Sequence, residues 1–311
     1  MTYSIERINA AIRSDPEDFI AKGEKDYRAK IAETAELICE NIKNSPIVLL
    51  SGPSGSGKTT TAMKICDALK AKGVNSHTVS LDNYFKTVNP RTAPRTPEGE
   101  IDYESPLHLD MDLLNEHFTM LTRGEEIRVP YFIFSRQKRS STQFTPLKLA
   151  KNEVAIFEGI HALNDAMTEK HPEAFKLYIS ASSQFAVGAK IVFLRTWLRL
   201  VRRIVRDNNF RGASAEDTIT MWGDVLRGEI LYIDPYKYKS DHHIDTALPY
   251  EVSVMKNIAL PLLEKLPEGV ARADELREIL SAFAAFEPLD ESLVPKESML
   301  REFIGGGIYS Y

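Results

Sequence analysis

Cysteine is scarce, long apolar runs are missing, and neither sign of charge dominates. Only Cys39 and Cys66 occur among the 311 residues, too few for a disulfide framework and at no metal-type spacing. They read as small buried apolar residues in a reducing, cytoplasmic setting. No apolar run approaches the ~20 residues of a membrane-spanning helix; the best, Pro46–Leu50, is far shorter. The first residues, Met1–Arg7, lack the apolar core of roughly 7–15 residues that a secretory signal needs. Lys and Arg number 39 against 44 Asp and Glu, a net charge of -5, which argues against a dedicated nucleic-acid binder. Repeats and low-complexity segments are absent too. At 43% hydrophobic and 27% charged, what remains is an ordinary globular composition with room for a large core.

The chain alternates strand and helix signals. Pro16 to Ile42 reads as a helix, with apolar residues at Phe19, Ile20, Ile31, Ala35 and Ile38. Residues 1–43 are therefore expected to be helical and largely separate from the rest of the chain. Asn44-Ser45-Pro46 stops that helix, because the residue before a proline disfavours it. Ile47–Ser51 is a short apolar run of the kind buried on both faces of a parallel sheet. A helix-like stretch then leads to Gly73 and a second strand, His77–Leu81, which makes a βαβ unit. Further strands are expected at Val154–Phe157, Lys176–Ile179 and His243-Ile244. A Pro- and Arg-rich stretch from Lys86 to Pro106 is too long for a plain connection, and loops of that size usually bind something.

Gly52-Pro53-Ser54-Gly55-Ser56-Gly57-Lys58-Thr59 fits GxxxxGK[ST] without a mismatch, between a strand and a helix, with Thr60 next in the same cradle. The glycines let amide N–H groups turn inward as a nest for phosphate oxygens. Lys58 brings a point charge to the β- and γ-phosphates, Thr59 offers a hydroxyl to Mg²⁺, and the helix adds its positive end. Glu158 ends one strand and Asp82 another. Both would reach the crevice at the carboxyl ends of the sheet. One acid near the metal and one facing an acceptor hydroxyl suit phosphoryl transfer to an alcohol.

Arginine forms the third cluster. Arg195, Arg199, Arg202 and Arg206 recur at steps of four, three and four, one face of a helix, beside an apolar face of Leu194, Leu198, Val201 and Val205. Lys190–Gly212 carries seven bases and one acid, Asp207, so +6, leaving -5 - 6 = -11 for the rest. A mobile helix of this kind would close over ATP and balance charge in the transition state.

Together with Ser80–Phe85, Val129-Pro130, Ile156–Gly159 and Arg199–Asp207, the phosphate loop resembles the uridine kinase/phosphoribulokinase family from about Pro46 to Leu263. Phe210-Arg211-Gly212, Met221-Trp222 and Leu300–Gly306 are similar to a longer bacterial uridine kinase-like branch. The resemblance implies an α/β, three-layer P-loop NTPase fold with a parallel central sheet and a helical lid. It also implies ATP and Mg²⁺, and a small hydroxyl-bearing acceptor rather than nucleic acid or membrane. Asp82 then matches the base that takes the proton of a 5′-hydroxyl and, with Lys58, is catalytic. Thr59, Asp82 and Glu158 form the magnesium set, while Arg199, Arg202 and Arg206 match the lid.

On the acceptor side, Glu104 falls where the family has an aspartate for the ribose hydroxyls, and Tyr84 lies in the motif that continues from Asp82. The base-recognition segment departs from the family's Pro-Thr-Tyr-Asp-Phe-x-x-His. Phe132 replaces the tyrosine, Ile133 the aspartate and Gln137 the histidine, while Phe134 agrees. Gln137 offers an amide to a base, but a pyrimidine, a purine or another sugar-like alcohol stays open. A phosphorylated acceptor would draw on Arg91, Arg95, Arg136, Lys138 and Arg139. A nucleotide-binding regulator without turnover is the alternative from another class. The expected organisation is a helical extension over 1–45, a kinase core over 46–265 with an acceptor insert at 86–145 and a lid at 190–212, and a helical tail over 266–311, with homo-oligomerisation left open.

Overall fold

The computed structural model describes residues 1–310. The chain enters as strand β1 (Thr2–Ser4), followed by helices α1 (Ile5–Ser14) and α2 (Pro16–Asn41). Asp15 caps α2 by accepting from the amide of Asp18 at 2.9 Å, with Pro16 pre-set at the first helical position. Then come β2 (Ile47–Ser51), α3 (Lys58–Ala71), β3 (Asn75–Ser80), α4 (Met111–Thr122), the hairpin β4 (Ile127–Ile133) and β5 (Lys138–Leu147), and β6 (Glu153–Glu158). The second half holds α5 (Asp165–Thr168), β7 (Phe175–Ser180), β8 (Gln184–Val187), β9 (Lys190–Phe193), α6 (Arg195–Arg206) and α7 (Ala215–Tyr232). It closes with β10 (His242–Asp245), α8 (Glu251–Leu263), α9 (Ala273–Phe283) and the short α10 (Arg301–Ile304).

The central sheet has strand order β10-β7-β2-β6-β3, and every pairing in it is parallel. All five were expected from the sequence, although β3 and β10 at the sheet edges are mostly polar. Along β2, Val48 and Leu50 join one apolar layer while Ile47 and Leu49 join the other, so both faces of the sheet are covered. Register fixes the site: Leu50 and Ser80 both lie opposite Glu158, which brings the carboxyl ends of β2, β6 and β3 level. The chain is thus an α/β three-layer fold built on a parallel sheet. Among the described residues no helix is long and apolar enough to cross a membrane.

Two expectations about organisation fail on packing grounds. Residues 1–43 do not stand apart: Ile5, Ile8, Ile20, Tyr27, Ile31 and Ile38 share one core with the sheet, and Thr2–Ser4 is a strand paired in parallel with β8. The basic stretch from Lys190 does not begin as helix. Lys190–Phe193 forms β9, antiparallel to β8, and the helix starts at Arg195.

Beneath the phosphate loop lies a fully buried ion pair. Arg202 on α6 donates to both carboxylate oxygens of Glu251 on α8, at 2.8 and 2.9 Å. It also donates to the carbonyl oxygens of Gly55 (3.2 Å) and Thr246 (3.0 Å), and Thr246 Oγ1 donates to the Ser56 carbonyl at 2.6 Å. A buried charge left without its partner is costly, so Glu251→Ala is expected to lower unfolding free energy by about 3–5 kcal/mol at neutral pH in urea titrations. A loss under about 1 kcal/mol would show that the pair does not hold this region together.

Candidate active site

The phosphate loop leaves β2 at Gly52 and runs into α3. Gly55 and Gly57 have φ of +75° and +80°, a backbone region closed to most side chains. Pro53 contributes its carbonyl oxygen, which accepts from Lys58 Nζ at 3.1 Å, and Ser54 Oγ accepts from Arg203 at 3.1 Å. Ser56 Oγ is buried without a partner. Lys58, Thr59 and Thr60 form the first turn of α3, whose start has no side-chain cap from Gly57. The amides at a helix start attract anions.

Asp82 is the second residue of a one-turn 3-10 segment, Leu81–Tyr84, that follows β3, its amide held by Ser80 Oγ at 3.3 Å. Burial pushes the Asp82 carboxyl up, opposed by Lys58 and Arg211. Burial likewise pushes Glu158 up, opposed by Lys58 and reinforced by Asp82. Lys58 is pulled down by burial against the fields of Glu158, Glu302 and Asp82. Lys58, Asp82 and Glu158 therefore share one electrostatic neighbourhood. With the Thr59 hydroxyl the two acids make a hard-oxygen donor set, which fits Mg²⁺. Among the described residues no group of three or more His, Cys, Asp or Glu side chains could hold a metal by itself. A magnesium ion here would have to draw its remaining ligands from phosphate oxygens and water.

The arginine stripe exists, but half of it turns away from this crevice. Arg202 lies below the loop, with its guanidinium spent on Glu251, Thr246 and Gly55. Arg199 is buried against Glu229 and over the Trp222 ring. Both guanidiniums are thus engaged by carboxylates of neighbouring helices, although Arg199 still lines a cavity together with exposed Arg195 and with Pro53 of the loop. Arg206 instead forms a group with Arg203 and Arg211. Buried Asp207 gathers all three, at 2.7 Å from Arg206, 3.2 Å from Arg203 and 3.7 Å from Arg211. It begins a π-helical turn, Asp207–Arg211, a distortion common at functional sites.

A cavity of about 210 Å³ is lined by Phe85, Lys86, Tyr103, Phe132, Phe134 and Gln137, among others. Phe132 meets Phe85 and Phe134 edge-on at 5.6 and 5.1 Å between ring centres. Gln137 Oε1 accepts from the Tyr103 hydroxyl at 3.2 Å, which leaves its amide N–H groups for other partners. Tyr84 is not part of this wall. It is fully buried with its hydroxyl on His117 Nδ1 at 2.8 Å, because its position in the 3-10 turn points into the core.

Glu104 is half-buried, and its pKa is pushed up to about 7 by burial, with Arg203 opposing. Gly228 on α7 makes room for it: a Cβ there would lie 2.5 Å from Glu104 Cβ. Neighbouring Asp102 is instead tied to Arg227 at 2.7 Å and to the Tyr232 hydroxyl at 2.8 Å. His161 is 2% exposed, and burial holds it neutral with a pKa of about 4. Neither of its ring nitrogens has a hydrogen-bond partner.

A loop, two acids and an arginine cluster in this order invite comparison with known proteins. The model of the Phosphoribulokinase / Uridine kinase family matches residues 47–252. The chain belongs to that family. The uridine kinase of Bacillus pumilus (strain SAFR-032) is 31% identical over 202 residues, 64% of this chain and 86% of its own. That of Deinococcus deserti is 26% identical over 196 residues, covering 63% and 84%. Among solved structures, the D-glycerate 3-kinase of Cryptococcus neoformans covers 90% of each chain at 15% identity and a TM-score of 0.36. The family match makes the protein a P-loop phosphotransferase.

Sequence spacing missed Arg203, Arg211 and Asp207 as site residues. The signal was present, since Asp207 is the lone acid in the basic run. Because misplacing catalytic groups by an ångström costs on the order of 100-fold, Asp207→Asn is expected to cut kcat by roughly that factor while thermal unfolding stays cooperative. Wild-type kcat in this variant would show that Asp207 orients nothing the reaction uses.

Proposed function

We propose that the protein is an ATP-dependent nucleoside kinase, moving the γ-phosphate of ATP to a primary 5′-hydroxyl, with uridine and cytidine the first acceptors to test. The observation that carries this is the aromatic cavity, lined by Phe85, which follows the turn that bears Asp82, and by Tyr103, the chain neighbour of Glu104. Its rings and the Gln137 amide suit a planar, hydrogen-bonding base. A phosphorylated acceptor is less well served. Arg95 is spent on the carbonyls of Pro90 and Gly99, and Arg139 on Asp110, Phe85 and Tyr84, so Lys86 is the cation left in the cavity wall.

In this reading the loop amides and Lys58 hold the β- and γ-phosphates. Thr59, Glu158 and Asp82 would hold Mg²⁺, which supplies charge neutralisation across those phosphates. Arg203, Arg206 and Arg211 balance charge as the acceptor oxygen bonds to the γ-phosphorus and the bond to ADP breaks. Asp82 takes the acceptor proton, and ionised Glu104 holds the ribose hydroxyls. The core over 46–265 carries the chemistry, with its insert at 86–145 shaping the acceptor side and the terminal segments 1–45 and 266–311 supporting the loop. A cytoplasmic location belongs to the same proposal, since the reaction draws on ATP.

ADP release from ATP and Mg²⁺ should be fastest with a nucleoside among uridine, cytidine, adenosine, pantothenate and a sugar phosphate. Asp82→Asn should keep nucleotide affinity and lose about 10²–10⁴-fold in turnover. ADP release with none of the acceptors, despite nucleotide binding, would favour the non-catalytic regulator. A raised carboxyl binds its proton until the pH passes about 7, so acceptor KM should fall as pH rises through that point and become high and flat in Glu104→Gln. A wild-type KM that is level over roughly pH 6–8 would remove Glu104 from the acceptor site.

A further inference from the structure

The family match stops at residue 252, yet segments on both sides of it reach the first turn of α3. From the N-terminal side, the Tyr27 hydroxyl bonds Thr61 Oγ1 at 2.7 Å. From the C-terminal side, Met299 packs so closely on Gly57 that a Cβ there would lie 2.6 Å from its sulfur, and the Phe303 ring centre lies 5.1 Å from the Arg202 guanidinium carbon. Between them, Glu302 Oε2 accepts from the Thr60 amide at 3.2 Å and from Thr60 Oγ1 at 2.6 Å. Glu302 is no swinging surface acid. It is 7% exposed, Met299, Leu300 and Phe303 around it are fully buried, and Arg301 ties the segment by donating to the carbonyls of Glu291, Val294 and Gly305.

The positive end of the phosphate-loop helix therefore already holds an anion. Glu302 stands with Glu158 and Asp82 in the field around Lys58, so three carboxylates surround the cation that greets a triphosphate. Free ATP carries roughly four negative charges against about two in its magnesium complex, so a fixed carboxylate repels the free form about twice as strongly. We propose that Glu302 is a specificity-determining residue of the nucleotide site, a built-in carboxylate that makes the protein discriminate against metal-free nucleotide. The inference rests on the proposed use of ATP and adds a residue that lies outside the family match.

The test is calorimetric titration of ATP into the full chain, once with Mg²⁺ and once with a chelator, for wild type, Glu302→Gln and Glu302→Asp. Glutamine keeps the shape and an acceptor oxygen for Thr60 while removing the charge. It is expected to tighten free ATP ~10-fold and the magnesium complex ~3-fold, narrowing the gap between them. Aspartate keeps the charge and should leave the wild-type ratio in place, which guards against a glutamine variant that fails to fold. An equal change in both titrations, no change, or weaker binding in both would overturn the proposal; weaker binding would make Glu302 a support for the loop. Wild type that binds neither form would instead sink the nucleotide reading on which the proposal stands.

Discussion

The site depends on one buried contact, the pairing of Arg202 with Glu251 under the phosphate loop. A guanidinium removed from water needs all its N–H groups met, and here they are met by a carboxylate, a hydroxyl and two backbone carbonyls, one of them Gly55 of the loop. The pair thereby fastens the loop to α6 and α8 at once. It also fixes the direction in which α6 faces. With Arg202 committed downward, Arg203 on the next step reaches Ser54, and Asp207 one turn on gathers Arg206 and Arg211. Breaking the pair would release both the loop and the helix that carries Arg203 and Arg206.

Around that fastening the structure separates charges of opposite sign. Asp82, Glu158 and Glu302 surround Lys58, while Arg203, Arg206 and Arg211 cluster on Asp207. The net charge of -5 is an average over this division. Segments beyond the family match take part in it, since Tyr27 and Glu302 both bond to the first turn of α3. Tyr27 thereby ties the N-terminal helix to the turn that carries Lys58 and Thr59, while Glu302 sets a negative charge against it.

The parallel sheet was legible because strands buried on both faces write themselves as unbroken apolar runs. Ile47–Ser51 and Val154–Phe157 could be little else, and Glu158 drew notice because it ends such a run, whereas Asp82 follows a more polar edge strand. The phosphate loop was legible because its glycines and Lys58 follow from backbone chemistry. Periodicity showed that Arg199, Arg202 and Arg206 share a helix face, but spacing cannot say whether that face turns toward the crevice or the core. That depends on Glu229 and Glu251, 30 and 49 residues further along the chain. Tyr84 misled for the same reason, and Thr2–Ser4 was missed because three residues give a strand no pattern. Glu302 was invisible as a site residue, since nothing local to it announces a partner 242 residues away.

The central claim is that a hydroxyl of a base-bearing acceptor meets the γ-phosphate beside Asp82. Phosphorus NMR of a reaction holding ATP, Mg²⁺ and nucleoside reads this out through the bond that forms. The account predicts a new phosphomonoester resonance split by the two methylene protons of a 5′-carbon. Inorganic phosphate in place of that monoester, beside the ADP signals that either outcome produces, would contradict it, because the phosphoryl group would then have gone to water.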